Sequence, residues 1–146
     1  MRSLKLLLVT EYFWPDRAAT GRLLSDLMAY LKQHHGCWTI DVLTSRRLYR
    51  SFTNNALPRA EVWQGIRIKR LSSFRSGRDS VLRRALSDLL FSVRAAAYVV
   101  ASRYDAIVLV TNPPLMPLLV ALLSNFRRRQ MVYILHDLYP DVPVAL

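Results

Sequence analysis

Four titratable side chains stand just beyond two apolar runs. Glu11 and Asp16 follow Leu4–Val9, and His136 and Asp137 follow Met131–Leu135. Carboxylates and an imidazole at such places suit general acid/base work or the binding of hydroxyl groups. A third apolar run, Asp105–Thr111, breaks at Asn112, Pro113 and Pro114, so its polar end can join the same site. Thr20 and Gly21 lie between the first run and a segment with helical spacing, where backbone N–H groups and the positive end of a helix make a seat for phosphate. A plainer reading stands beside it, in which the two residues only start the helix. The chain has no GxGxxG after its first run, no Walker A lysine motif, no GxSxG and no Cys/His set with metal spacing.

The elements that must position these groups follow from periodicity. Leu4, Leu6, Leu7, Leu8 and Val9 suit a strand buried on both faces of a parallel sheet. Leu23, Leu24, Leu27, Met28 and Leu31 share one face of a helix, for which Thr20 is the expected N-cap and Gly36 the expected C-cap. His34 and His35 in its last turn read as complements to the helix dipole rather than ligands. Thr39–Thr44 predicts a second strand. Ser45–Trp63, with Arg46, Arg47, Arg50 and Arg59, reads as a long basic loop. Gly65–Leu71 alternates as a strand at a sheet edge should. Asp79 or Ser80 is placed to cap the longest helix, whose stripe of Val81, Leu82, Ala85, Leu86, Leu89, Leu90, Val93, Ala96, Ala97 and Val100 is the expected buried face. A short apolar helix from Leu115 to Phe126 and a last strand over Met131–Leu135 complete the pattern. Strands alternating with helices predict an α/β fold, a Rossmann-like doubly wound parallel sheet of strand order 3-2-1-4-5. In that order the winding reverses between strands one and four, and ligands bind beyond the carboxyl ends of the strands there.

The chain has 146 residues, enough for one domain with a sizeable core, and its single cysteine, Cys37, excludes an internal disulfide. Its amino-terminal apolar run is too short and too interrupted for a signal peptide, and no stretch of about 20 apolar residues can span a bilayer. Lys and Arg number 21 against 10 Asp and Glu, a net charge of +11 that implies an anionic partner. On the outer side of the longest helix, Arg83, Arg84, Phe91, Arg94 and Tyr98 interleave cations with aromatics. Such a surface suits an anionic membrane interface, the alternative being an ordinary solvated face. Without a recognised nucleic-acid-binding module or base-stacking platform, nucleic acid is not the expected partner.

Five stretches carry a resemblance, in the same order along nearly the whole chain: YFWPDRAATGRLLSDLMAYL, VWQGIRIKRL, SFRSGRDSVLRRALSDLLFSVRAAA, VTNPPLMPLLVALL and VYILHDLYPDVPVAL. Together they resemble the amino-terminal half of family 4 glycosyltransferases of the bacterial exopolysaccharide, capsule and lipopolysaccharide type. The resemblance implies one half of a GT-B fold, the acceptor-side domain, with a donor-binding carboxyl-terminal domain outside this chain. It also implies a retaining, metal-independent transfer without a resident cofactor. The partners implied are a nucleotide-sugar donor and a polyprenyl-diphosphate-linked or other lipid acceptor, handled in the cytoplasm at the inner face of the plasma membrane. By the same resemblance, the loop ending in Gly21 approaches the donor diphosphate, and His136 lies near the transferred sugar or the acceptor hydroxyl. A stand-alone membrane-associated module that docks a separate catalytic chain is the alternative.

Overall fold

A computed structural model of the chain describes residues 3–48, 57–72, 81–111, 113, 115–124 and 130–135. The elements run β1 (Lys5–Val9), α1 (Ala19–His34), β2 (Thr39–Ser45), β3 (Ala60–Trp63), β4 (Ile66–Leu71), α2 (Val81–Ala101), β5 (Ala106–Val110), α3 (Leu115–Ser124) and β6 (Gln130–Ile134). They form an α/β fold around one six-stranded sheet of order β3-β4-β2-β1-β5-β6. Every pairing is parallel except the β3–β4 hairpin. The five parallel strands thus follow the expected order, with one antiparallel strand added outside β4.

Alternate residues of β1 face opposite layers, as a strand's period of two requires. Leu6 and Leu8 join Phe13, Leu24 and Met28 under α1, while Leu7 and Val9 join Phe91, Ala95, Val99, Met116 and Val120 under α2 and α3. The sheet is therefore covered by α1 on one face and by α2 and α3 on the other. That double coverage explains why β1 and β5 read as continuous apolar runs rather than alternating ones.

Several sequence expectations need correction. Ala60–Trp63 is a strand, not the end of a long loop, and it takes the edge position expected of β4. Its hairpin turns through Gln64 and Gly65, both left-handed at φ 49° and 76°, the backbone that a tight two-residue hairpin requires. Trp63 stacks on Trp14 at 5.4 Å and meets Phe13 edge-on at 6.0 Å, which ties the hairpin to the loop after β1. Helix α1 begins at Ala19 with Ala18 at the N-cap, so Thr20 lies inside the helix and does not cap it. At the other end His35 is the C-cap, its N–H donating to the Leu31 carbonyl at 2.9 Å, and Gly36 does not take the left-handed conformation. His34 stacks on Tyr30 and bonds its carbonyl through Nδ1, in keeping with a local role at the helix end.

The largest correction is the rotation of α2. Its buried face consists of Ser87, Phe91, Ser92, Ala95, Ala96 and Val99, while Leu82 is 79% exposed and Leu86 55%, with Leu89, Leu90 and Val93 also exposed. The expected leucine stripe therefore points away from the sheet. Small side chains let the helix axis approach the strands closely, and Phe91, 3% exposed, fills the space between. The caps expected at Asp79 and Ser80, and the basic segment from 49 to 56, lie outside the described residues.

Candidate functional site

The crossovers from β1 lead one way, through β2 to β4, and those from β5 the other, to β6, so the carboxyl ends of β1 and β5 sit side by side at a switch point. Val9 is in register with Leu109, the last pair of the β1–β5 ladder, so Thr10 and Glu11 leave β1 at the same end of the sheet at which Thr111 leaves β5. Both ends are polar and buried, with Thr10, Glu11, Asp16, Thr44, Ser45 and Thr111 all shielded from water.

Hydrogen bonds hold these ends together. The Thr10 N–H extends the ladder to the Leu43 carbonyl at 3.1 Å, and the Thr10 hydroxyl donates to the Tyr12 carbonyl at 3.1 Å. The Glu11 carbonyl accepts from the Ser45 N–H at 3.2 Å and from the Thr44 hydroxyl at 3.0 Å. The loop after β1 is thereby pinned to the end of β2. Across the switch point, the Thr111 hydroxyl donates to the Ile134 carbonyl at 3.2 Å, joining the ends of β5 and β6. Beyond Ser45 the chain presents two arginines. Arg46 is spent locally, its Nε donating to the Leu57 carbonyl at 2.7 Å, whereas Arg47 is exposed with its N–H held by Ser45 Oγ at 3.0 Å. An exposed guanidinium here offers a planar fork to phosphate oxygens.

The expected site residues separate into groups. Glu11 and Asp16 both lie in the loop after β1, but the Asp16 carboxylate accepts the Ala18 N–H at 2.9 Å and so occupies the positive end of α1 itself. A Cβ on Gly21 would meet Asp16 Cβ at 3.2 Å and the Asp16 carbonyl at 3.4 Å. Gly21 is buried against its own loop, where its lack of a side chain leaves room for Asp16. Asn112, His136 and Asp137 lie outside the described residues, as does the side chain of Arg84. Of the residues expected to face a membrane, Arg83 and Arg94 are exposed, and Arg94 donates to the Ser72 carbonyl at 3.0 Å. Phe91 is core, as above. Tyr98 is half-buried, its ring 4.5 Å beneath the Lys69 ammonium and its hydroxyl 3.4 Å from that of Tyr104. Both aromatics face the sheet because α2 turns its small-residue side inward.

Thr111, Ser45 and Arg47 are the site residues that sequence reasoning did not single out. The signal for Arg47 was present, because a cation directly after a buried strand in a parallel sheet must emerge at the ligand-binding end. Among the described residues no group of three or more His, Cys, Asp or Glu is placed to hold a metal ion. No helix of the described residues is long and apolar enough to cross a membrane. No protein-family model matches the chain. No curated protein matches it either.

Proposed function

We propose that the chain is the acceptor-side half of a glycosyltransferase, moving a sugar from a nucleotide-sugar donor to a lipid-linked or polysaccharide-precursor acceptor. Transfer then requires a second, donor-binding domain, and this chain supplies the acceptor's seat. The observation that carries the reading is a convergence. Two of the stretches that resemble family 4 glycosyltransferases, YFWPDRAATG and VTNPP, start at the neighbouring carboxyl ends of β1 and β5, where an open α/β sheet binds its ligands.

In this reading Arg47 meets the diphosphate of a polyprenyl-linked acceptor, while Glu11 at the end of β1 orients acceptor hydroxyls. His136 takes the place that the resemblance gives it, near the transferred sugar or the acceptor hydroxyl, and Asp137 beside it serves acid/base work or the binding of hydroxyl groups. Asp16 and Gly21 act as positioning residues that fix the start of α1 and hence the loop.

The test is calorimetric titration of the full chain with a short-chain prenyl-diphosphate-linked sugar, beside a nucleotide sugar. The acceptor analogue should bind and the nucleotide sugar should not. Arg47→Gln should weaken acceptor binding about tenfold, the loss of one charge-assisted contact. Tight binding of the nucleotide sugar alone would contradict the assignment of the acceptor side.

A further inference from the structure

The rotation of α2 leaves a surface that the core does not use. Leu82, Leu86, Leu89, Leu90 and Val93 are exposed on α2. Leu115, Leu118 and Leu122 are exposed on α3, which packs beside α2 over the same face of the sheet. Single surface leucines are ordinary, but eight large apolar side chains on two adjoining helices make a patch that soluble surfaces seldom carry without a partner. Its size bears on what that partner is. With exposures from 36% at Leu90 to 79% at Leu82, these side chains offer an apolar area comparable to the ~800 Å² that each partner buries in a standard protein–protein interface.

The chemistry of the patch fits a second copy of the chain. A two-fold contact sets the same surface of both molecules face to face, so that surface must suit itself. Apolar side chains do, whereas a row of like charges would not. Helix α3 has no charged residue. On α2, Asp88 is half-buried, and helical spacing puts Arg83 and Arg94 at one margin of the leucines, with Arg94 donating to the Ser72 carbonyl at 3.0 Å. The middle of the patch is therefore uncharged. Two such helix pairs stacked across the axis bury both patches in one four-helix layer. The net charge of +11 acts against the contact, because repulsion between copies reaches about 8 Å at physiological ionic strength and less as salt is added. That opposition gives the pairing a signature: salt strengthens it, whereas salt weakens any contact that the arginines make with an anionic surface.

We propose that two copies of the chain pair through the outer faces of α2 and α3 about a two-fold axis, with a Kd of about 10–100 µM. The inference is independent of the acceptor reading. Sedimentation equilibrium of the full chain, from about 1 to 500 µM, should show the mass rise from one chain to two and stop there, since a two-fold contact closes on itself. Raising sodium chloride from about 0.05 to 0.5 M should tighten association about threefold or more. The pair Leu86→Gln and Leu118→Gln should weaken association about tenfold or more. At about 1 µM protein, where the parent is monomeric, that pair should keep the parent's urea midpoint, because both residues are exposed. Leu23→Gln with Leu27→Gln, exposed on α1 at the opposite face of the sheet, should leave association unchanged. The proposal is overturned if the parent stays monomeric throughout, if its mass climbs past two chains, if salt weakens association, or if the Leu86 and Leu118 pair associates as the parent does. Flotation with phosphatidylglycerol vesicles by a chain that stays monomeric would give the surface to lipid and overturn it equally. None of these results touches acceptor binding in the crevice, which the titration reads separately.

Discussion

Replacing Phe91 by Ala tests the rotation of α2 against the orientation that its leucine pattern implies. Phe91 is 3% exposed and packs with Ala95, Ala96, Val99, Leu7 and Ile107 on one face of the sheet. Removing a buried phenyl ring costs about 3–5 kcal/mol from lost transfer energy and the cavity left behind. Alanine recovers roughly 0.5 kcal/mol of helix propensity, leaving a net loss of about 3 kcal/mol. With a urea dependence of about 1–3 kcal/mol per molar, the midpoint should fall by at least about 1 M. Leu86→Ala, on the opposite face, should shift stability by no more than about 0.5 kcal/mol, because much of its side chain is already in water. Both variants are read by circular dichroism across a urea series at one protein concentration. A large loss for Leu86→Ala with a small one for Phe91→Ala would refute the orientation, and with it the exposed leucine face.

Other outcomes follow from particular contacts. The Arg70 side chain is wholly buried, pairs with Glu61 and donates to the Trp14 carbonyl at 2.8 Å. Glu61→Ala should therefore destabilise by about 3 kcal/mol in urea unfolding, since an uncompensated guanidinium remains inside; an unchanged midpoint would show that the pair is dispensable. Gly21→Ala should lose about 1 kcal/mol despite the better helix former, because its Cβ presses on Asp16 at 3.2 Å; a gain in thermal stability would show that the loop yields freely. Burial, first, and then the hydrogen bonds with Tyr98 and Asp41 push the Tyr104 phenol above its ordinary value. The unfolded chain then releases that proton first, so stability declines as pH rises through about 10, the unfolded value. Tyr104→Phe should flatten this alkaline decline when unfolding is followed from pH 8 upward, and an unchanged slope would remove Tyr104 as its source.

The parallel strands were legible because burial on both faces leaves continuous runs such as Leu6–Val9 and Ile107–Val110. Strand β3 was not, since its four residues follow Pro58 and Arg59 and its Glu61 pairs with a buried arginine instead of facing water. The helix α2 was legible as an element but not in its rotation. Apolar side chains surround it, and the larger ones form the more regular stripe, so the sequence pattern favours the face that the fold leaves outside. What decides the matter is close approach to the sheet, which Ser87, Ser92, Ala95 and Ala96 permit and a leucine row does not. At the site, the adjacency of the carboxyl ends of β1 and β5 was readable from strand order alone. The contacts of Asp16 and Gly21 were not, because an aspartate that accepts a backbone N–H ahead of the helix and a glycine that packs against its own loop share the residue types of a phosphate seat.

The central claim is that an acceptor occupies the crevice between the carboxyl ends of β1 and β5. Amide chemical-shift mapping of the isotope-labelled chain, titrated with a short-chain prenyl-diphosphate-linked sugar, addresses it most directly. The account predicts saturable shifts at Thr10, Glu11, Ser45, Arg47 and Thr111, with Lys5, Thr39 and Asp105 at the opposite ends of the strands unmoved. Shifts confined to that opposite end, or none at saturating acceptor, would contradict it.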